Sequence, residues 1–337
     1  MIPIYSASSR YYLFDNYPIM NRRTFIRAAA VSGAVAPYAL QNSLSAGAHK
    51  AHARKFTLNF VGGALGIKAD QKRAIELAHK HGFESVEAQS AYLAGLSKGQ
   101  VKDLLGEMKD KGISWGSSGL PVDFRKDRAK FEADLAELPK HAKGLQAAGV
   151  TRVNTWIMPT HAELTYNENF KQHTRRLWEV AKILGDHDLR LGFEYVGTTT
   201  LLIRDKYPFL HTLAETQELC AAIGTNNVGY VLDSWHWWQA GDSAEAIKKL
   251  DPQSITLVDL NDAPRGVAKQ EQIDGHRELP LATGVIDLKP FLEALVHIGY
   301  EGPARAEPFN QPLREMDDDL ASQTTITFLK KAVKLIS

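Results

Sequence analysis

The chain has 337 residues, 44% of them hydrophobic and 23% charged, enough apolar material for a large core that needs no staple. Forty basic against thirty-nine acidic side chains leave a net charge of +1, with no basic block and no aromatic-basic interleaving, so a nucleic-acid surface is excluded as the main business of the chain. The only cysteine, Cys220, lies in the apolar run Leu219-Cys220-Ala221-Ala222-Ile223, where a small buried helix residue is expected, and no internal disulfide can form.

In chain order, residues 1–48 read first as a leader. Asn21-Arg22-Arg23-Thr24-Phe25-Ile26-Arg27 is followed by the small and apolar run Ala28 to Leu40, and Ser45-Ala46-Gly47-Ala48 offers an A-x-A-like cleavage site before His49. Paired arginines beside Thr-Phe-Ile resemble a twin-arginine export signal, an address read by the twin-arginine export machinery. The competing reading is an amphipathic leader or anchor, but the apolar run is shorter than the roughly 20 residues a spanning helix needs, so no stable membrane anchor is expected. Residues 1–19 precede Met20, which offers a second start. A periplasmic or otherwise exported protein is the expectation, folded before transport and able to take up a metal in the cytoplasm.

Within a domain of residues 49–337, from residue 55 onward, short β-rich runs alternate with longer helical ones, the rhythm of βα units around a parallel sheet. The expected strands are Phe56 to Phe60, Ser85 to Ala88, Ile113 to Gly116, Arg152 to Ile157, Arg190 to Tyr195, Val228 to Leu232, Ser254 to Val258 and Ala304 to Ala306. Between them fall the helical runs Gln71 to His81, Val101 to Lys111, Ala129 to Ala148, Phe170 to Gly185, Leu213 to Ile223, Ala244 to Leu250, Leu288 to Ile298 and Leu313 to Ile336. Gly82, Gly112, Gly149 and Gly299 stand where a helix should stop in a left-handed cap before the next strand. Eight units in about 280 residues predict a single-domain (β/α)8 TIM barrel. An open doubly wound sheet is the alternative, but Gly62-Gly63-Ala64-Leu65-Gly66 lacks the spacing of its phosphate loop.

In a barrel the C-terminal strand ends form the active face. Glu194, Asp233, Asp259 and Glu307 fall at the ends of the fifth, sixth, seventh and eighth expected strands. An acid after a strand is often only a helix cap or a rim ion pair. Four on consecutive strands would repel one another unless a cation sat among them, and oxygen donors favour a hard divalent ion. Manganese is expected first, with magnesium, cobalt and zinc as alternatives. Asp233-Ser234-Trp235-His236-Trp237-Trp238 adds a histidine and aromatic faces of the kind that stack on sugar rings, although some of these rings are expected to pack the rim instead. Glu87, at the end of the second strand, either orients a substrate hydroxyl or forms a rim salt bridge; Trp115, Trp156 and His161 divide evenly between pocket and packing, and Arg277 reads as a solvated loop residue.

Segments 190–197, 228–241, 255–265 and 279–309 resemble the xylose-isomerase-like superfamily, which includes ketose 3-epimerases, hydroxypyruvate isomerases and inosose dehydratases. That resemblance implies one metal bound by Glu194, Asp233, the strand-seven residue and Glu307. It also implies substrate contacts from His236 and from Arg265, which lies where a substrate-binding arginine follows the strand-seven ligand; Trp235 joins them as a candidate substrate contact through its aromatic face. Pro280 to Asp287 is similar to the family's glycine-containing loop. The chain departs at the seventh strand, where the family usually has histidine and Val258-Asp259-Leu260-Asn261-Asp262 places aspartate; Asp262, His276 or water are the other candidates for that ligand.

The chemistry so implied is proton transfer beside a carbonyl through an enediolate, with Glu194 and Glu307 as base and acid and the metal as Lewis acid. The expected activity is a metal-dependent isomerase or epimerase of a non-phosphorylated sugar or keto-sugar, since sugar phosphates stay largely in the cytosol. A lyase or hydratase eliminating from a 3-keto-glycoside is the second reading, and an open pocket would favour it. A non-catalytic carbohydrate-binding barrel is the reading from another class, and a metal-dependent phosphodiesterase is the least favoured. The family also allows a homo-oligomer by analogy.

Overall fold

Runs of buried, largely branched or aromatic residues form the strands of the computed structural model, which describes residues 53–337; the expected leader and its twin-arginine motif lie outside the described residues. The strands are β1 (Thr57–Phe60), β2 (Ser85–Val86), β3 (Ser114–Trp115), β4 (Ser118–Gly119), β5 (Arg152–Ile157), β6 (Thr160–His161), β7 (Arg190–Tyr195), β8 (Tyr207–Pro208), β9 (Val228–Asp233), β10 (Ile255–Asp259) and β11 (Pro303–Arg305). β6 and β8 make a small antiparallel pair beside the mouth. The other nine form one sheet in the order β3-β2-β1-β11-β10-β9-β7-β5-β4, with every neighbouring pair parallel. Its two outermost strands, β3 and β4, are separated in the chain only by Gly116 and Ser117, so the sheet closes on itself as a TIM barrel.

That bend was not expected. The third strand continues past Gly116, its first half pairing with β2 and its second with β5. A Cβ at Gly116 would collide with the side chain of Asn59 from β1, so glycine there lets the strand turn over a polar residue inside the barrel. Gly192 of β7 leaves room in the same way for Thr256 of β10.

The helices follow their apolar stripes. Gln71–His81, Leu213–Ile223 and Leu288–Ile298 have the expected bounds, and the expected stops Gly82, Gly112, Gly149 and Gly299 all have positive φ, between 67° and 77°. The C-terminal run is not one helix: Gln311–Arg314 ends, and Asp317 caps a new start by accepting from Leu320 N, giving Asp318–Val333. A helix over Ser234–Ala240, capped by the Asp233 carboxylate through Trp235 N, was not expected because seven residues rich in tryptophan show no helical periodicity.

One helix residue gives the fold an acid-sensitive point. His173, in the helix Tyr166–Gly185, packs against Phe124 and Phe209 with ring centroids 5.4 and 4.9 Å away. Its Nδ1 donates to Asn169 O at 2.9 Å, and its Nε2 has no partner. Burial pushes its pKa down from 6.5 to about 4. The unfolded ring therefore takes up a proton near 6.5 and the folded ring does not. Stability is full above that value and falls by about 3 kcal/mol as the pH drops towards 4. We expect His173→Met to flatten the pH dependence of urea unfolding between pH 7 and 4; an unchanged slope would acquit this ring.

Candidate active site

Four carboxylates meet at the C-terminal mouth of the barrel. Glu194 comes from β7, Asp233 ends β9, Asp259 ends β10 and Glu307 follows β11 by two residues. One oxygen of each lies within 4.8 Å of the others. The register explains the convergence, since Asp259 pairs with Asp233 on one side and with Arg305 on the other. Asn261 locks two of the acids: its Nδ2 donates to both Asp233 oxygens at 3.1 and 3.2 Å, and its Oδ1 accepts from Glu307 N at 2.9 Å.

Two arginines thread this acidic cluster. Arg305, two residues before Glu307 and so on the same side of the strand, donates from Nε and Nη2 to the two Asp259 oxygens at 2.5 and 3.1 Å, and from Nη2 to Glu307 Oε1 at 2.8 Å. Arg277 enters from the loop after β10. Its Nη1 donates to Asp233 Oδ2 at 2.7 Å and reaches Glu307 Oε2 at 3.5 Å, while Nη2 donates to Asp274 Oδ1 at 2.7 Å and to His236 Nε2 at 3.0 Å. Because guanidinium only donates, His236 Nε2 is the acceptor there, while the backbone N–H of Gly197 approaches Nδ1 at 3.3 Å, so donors face both ring nitrogens. Burial, then Arg277, pushes the His236 pKa down to about 3, so the ring is neutral.

Burial dominates the carboxyls as well. Glu194 is held well above the ordinary carboxylate range by burial and then by the charges of Glu307, Asp233 and Asp259. Burial also raises Glu307, to about 7, against the pull of Arg305. For Arg277, burial opposes the charge but Asp233 and Asp274 outweigh it, and its pKa is raised.

The cluster suits a hard divalent ion on two counts. Glu194 Oε1 is buried with no hydrogen-bond partner, an acceptor waiting for a cation. With Asp274, which shares Arg277, five carboxyl groups face two guanidinium groups, so acidic groups outnumber the cations among them. Glu194, Asp233 and Glu307 are the residues that would hold it.

These groups open into a cavity of about 550 Å3 lined by Glu194, His236, Arg277, Arg305, Glu307 and, towards the rim, Trp156. Trp156 is 39% exposed, and the Arg125 guanidinium lies 4.2 Å from its ring centroid on the way to a second cavity that shares both residues. Phe309, in the left-handed region at φ 44°, lines the wall with Arg277 4.8 Å from its ring centroid.

The structure thus brings Glu194, Asp233, Asp259, Glu307 and His236 together, and moves other expected residues away. Trp235 is fully buried, donates from Nε1 to Thr198 Oγ1 at 3.0 Å and backs Arg277 at 5.6 Å, so it supports the site without reaching the cavity. Arg265 is exposed and donates to Thr283 O, outside the cavity; the site's loop arginine is Arg277, which is 2% exposed and not solvated. Glu87 does not line the cavity but lies within the field of Arg305, and burial raises its carboxyl. Trp115 donates to Ala148 O away from the cavity, and His161, whose Nδ1 accepts from Glu163 N and Leu164 N in a turn, lines the second cavity and not the one at the acids. Asp262 is taken up by the amides of Ala263, Thr283, Gly284 and Ile286, and His276 is exposed; neither completes a metal shell. Arg305 was missed, although a charge inside a barrel strand, in register with an aspartate, was there to be read.

This fold has known counterparts. A family model described as a xylose isomerase-like TIM barrel matches residues 75–332, and the chain belongs to that family. It is similar to inosose isomerase of Bacillus velezensis, 23% identical over 273 residues, covering 79% of this chain and 91% of the relative. It is also similar to 3-dehydroshikimate dehydratase of Pseudomonas putida, 25% identical over 256 residues, 74% of this chain and 37% of the relative. A solved xylose isomerase domain protein from Alicyclobacillus acidocaldarius superposes with a TM-score of 0.72 at 28% identity, covering 84% of this chain and 99% of that one. The IOLI protein, solved with a zinc atom, shares the fold at a TM-score of 0.68 and 23% identity, covering 84% of this chain and 98% of that one.

Proposed function

We propose that this chain is a metal-assisted isomerase or epimerase of a non-phosphorylated sugar or keto-sugar. The observation that carries this reading is the pair Glu194 and Glu307, buried carboxyl groups facing one cavity of the family's barrel with a neutral histidine and two arginines between them. Glu194, with its unpartnered Oε1, takes the proton from the carbon beside the substrate carbonyl. Glu307 returns a proton to the resulting enediolate, on the other face of the same carbon in epimerisation or at the neighbouring carbon in isomerisation. A raised carboxyl suits both tasks, being the stronger base and able to carry what it has taken. Arg305 Nη1, which makes no hydrogen bond among the described residues, is free to donate to a substrate oxygen. A divalent ion at Glu194, Asp233 and Glu307 would supply Lewis-acid polarisation of the substrate's oxygens, as zinc is bound in the IOLI relative; manganese is our first choice.

A lyase reading shares the first step and then expels a substituent from the next carbon. The cavity favours it: about 550 Å3 with a stacking platform at Trp156 lies in the range for drug-sized ligands, roughly 300–1,000 Å3, and exceeds the needs of one hexose. Export through the twin-arginine route, proposed from residues 21–48, would place the protein among such unphosphorylated sugars.

The test is NMR of the manganese-loaded protein in D2O with ketohexoses and 3-keto-glucosides. Deuterium entering beside the carbonyl, with an isomerised product, supports the first reading; a released aglycone supports the lyase. No exchange with any sugar that demonstrably binds would leave a carbohydrate-binding barrel.

A further inference from the structure

The cavity at the acids does not end at Trp156. A second chamber of about 390 Å3 adjoins it, and the two share Arg125, Trp156, Met158 and Arg204. Trp156 is the register partner of Glu194 across β5 and β7, so the shared wall begins one strand spacing, about 4.8 Å at the backbone, from the proposed base. That wall is fixed. The Arg125 guanidinium lies 4.2 Å from the Trp156 ring centroid and donates from Nη1 to Trp156 O at 2.7 Å and to Thr155 Oγ1 at 3.2 Å.

The second chamber offers nothing to an anion. Arg125 is paired with Asp123 at 3.3 Å and Arg204 with Asp205 at 2.9 Å, and of the remaining charges on its wall Lys126 is balanced in number by Glu163. It does offer acceptors. Asn169 and His173, 1% and 4% exposed, line it, and Asn169 Oδ1 and His173 Nε2 have no partner. The His173 ring donates from Nδ1 to Asn169 O, so its Nε2 can only accept. His161 is the complement: its Nδ1 accepts from two amides, which leaves Nε2 to donate. A flat aromatic surface beside unpartnered acceptors and a donor matches a sugar ring, which has an apolar face and hydroxyls that both donate and accept.

Resting on the sugar reading above, we propose that this site takes an uncharged two-ring glycoside. The keto-sugar ring lies at Glu194 and Glu307, and a second sugar ring occupies the chamber beyond Trp156 and Arg125. The second ring supplies binding energy away from the reacting carbons and orients the first against Glu194.

The experiment is calorimetric titration of the full chain, with manganese present, with fructose and with three glucosyl-fructoses of different linkage, turanose, maltulose and isomaltulose. At least one disaccharide is expected to bind about tenfold more tightly than fructose, the gain from one stacked face and one or two hydrogen bonds. Ala162 is exposed and lines the second chamber alone, so Ala162→Trp is expected to remove that gain and leave fructose binding unchanged. A gain above about threefold that the variant removes carries the proposal; a smaller gain with all three disaccharides, or one that survives the variant, overturns it. Phenyl β-glucoside binding more tightly than every disaccharide would give the chamber to an aromatic group and overturn the second sugar. Should Ala162→Trp fail to fold, a crystal of the wild type with the tightest disaccharide decides: a glucosyl ring against Trp156 and Asn169 supports the proposal, and any other seat sinks it. Binding is read here without turnover. A disaccharide held in this way without deuterium exchange leaves the two-ring site standing and removes the isomerase reading; exchange with fructose and no disaccharide gain does the reverse. No binding of any sugar overturns both.

Discussion

Glutamine at position 194 is expected to slow deuterium entry beside the substrate carbonyl by about 10²–10⁴-fold, the range that one positioned general base contributes. Gln keeps the shape of Glu194 and removes its capacity to take a proton. The fold should tolerate the change, because Oε1 has no partner to lose and the like charges of Glu307, Asp233 and Asp259 around it are relieved. A melting temperature equal to or above that of wild type, with exchange lost, is the expected pair of results. Wild-type exchange in Glu194→Gln would remove this residue from the chemistry. Glu307→Gln should also abolish exchange but at a cost in stability, since Arg305 and Arg277 both lean on that carboxylate. The contrast between the two variants separates a base with a free oxygen from an acid held in an ion-pair network.

Replacing Arg277 by methionine is expected to cost about 3–5 kcal/mol of stability, the penalty for removing one partner of a buried ionic cluster. The side chain is 2% exposed and neutralises Asp233 and Asp274 directly and Glu307 at longer range. Methionine fills much of the volume and leaves these carboxylates buried beside one another. The sign of the pH dependence follows: the deficit should shrink as the pH falls and the orphaned acids protonate. Chemical denaturation at pH 7 and pH 5 checks it. A loss below 1 kcal/mol at pH 7 would show that the loop relaxes and lets water reach the acids.

Much of this architecture is legible in the order of the residues alone. The eight βα units, the glycine stops and the four strand-end acids follow from periodicity and local chemistry, and each depends on residues near it in the chain. What sequence reasoning missed depends on pairing at a distance. Arg277 reads as a solvated loop residue until Asp233, 44 positions away, is placed beside it. Arg265 sits at the family's spacing from strand seven, but the loop geometry points it outward to Thr283 O. Trp235 follows an acidic strand end and reads as a sugar platform, yet the short helix capped by Asp233 turns it into the core. The bend at Gly116 likewise depends on Asn59, which no local pattern connects to it.

The Asp259–Arg305 clamp constrains how such a barrel can diverge. A neutral residue at 305 alone would strand the buried Asp259 carboxylate, and histidine at 259 alone would take from the buried guanidinium two of its three carboxylate bonds, leaving it Glu307. The two positions, 46 residues apart, are therefore tied as a single inherited character, crossed by a double exchange or through a compensated path.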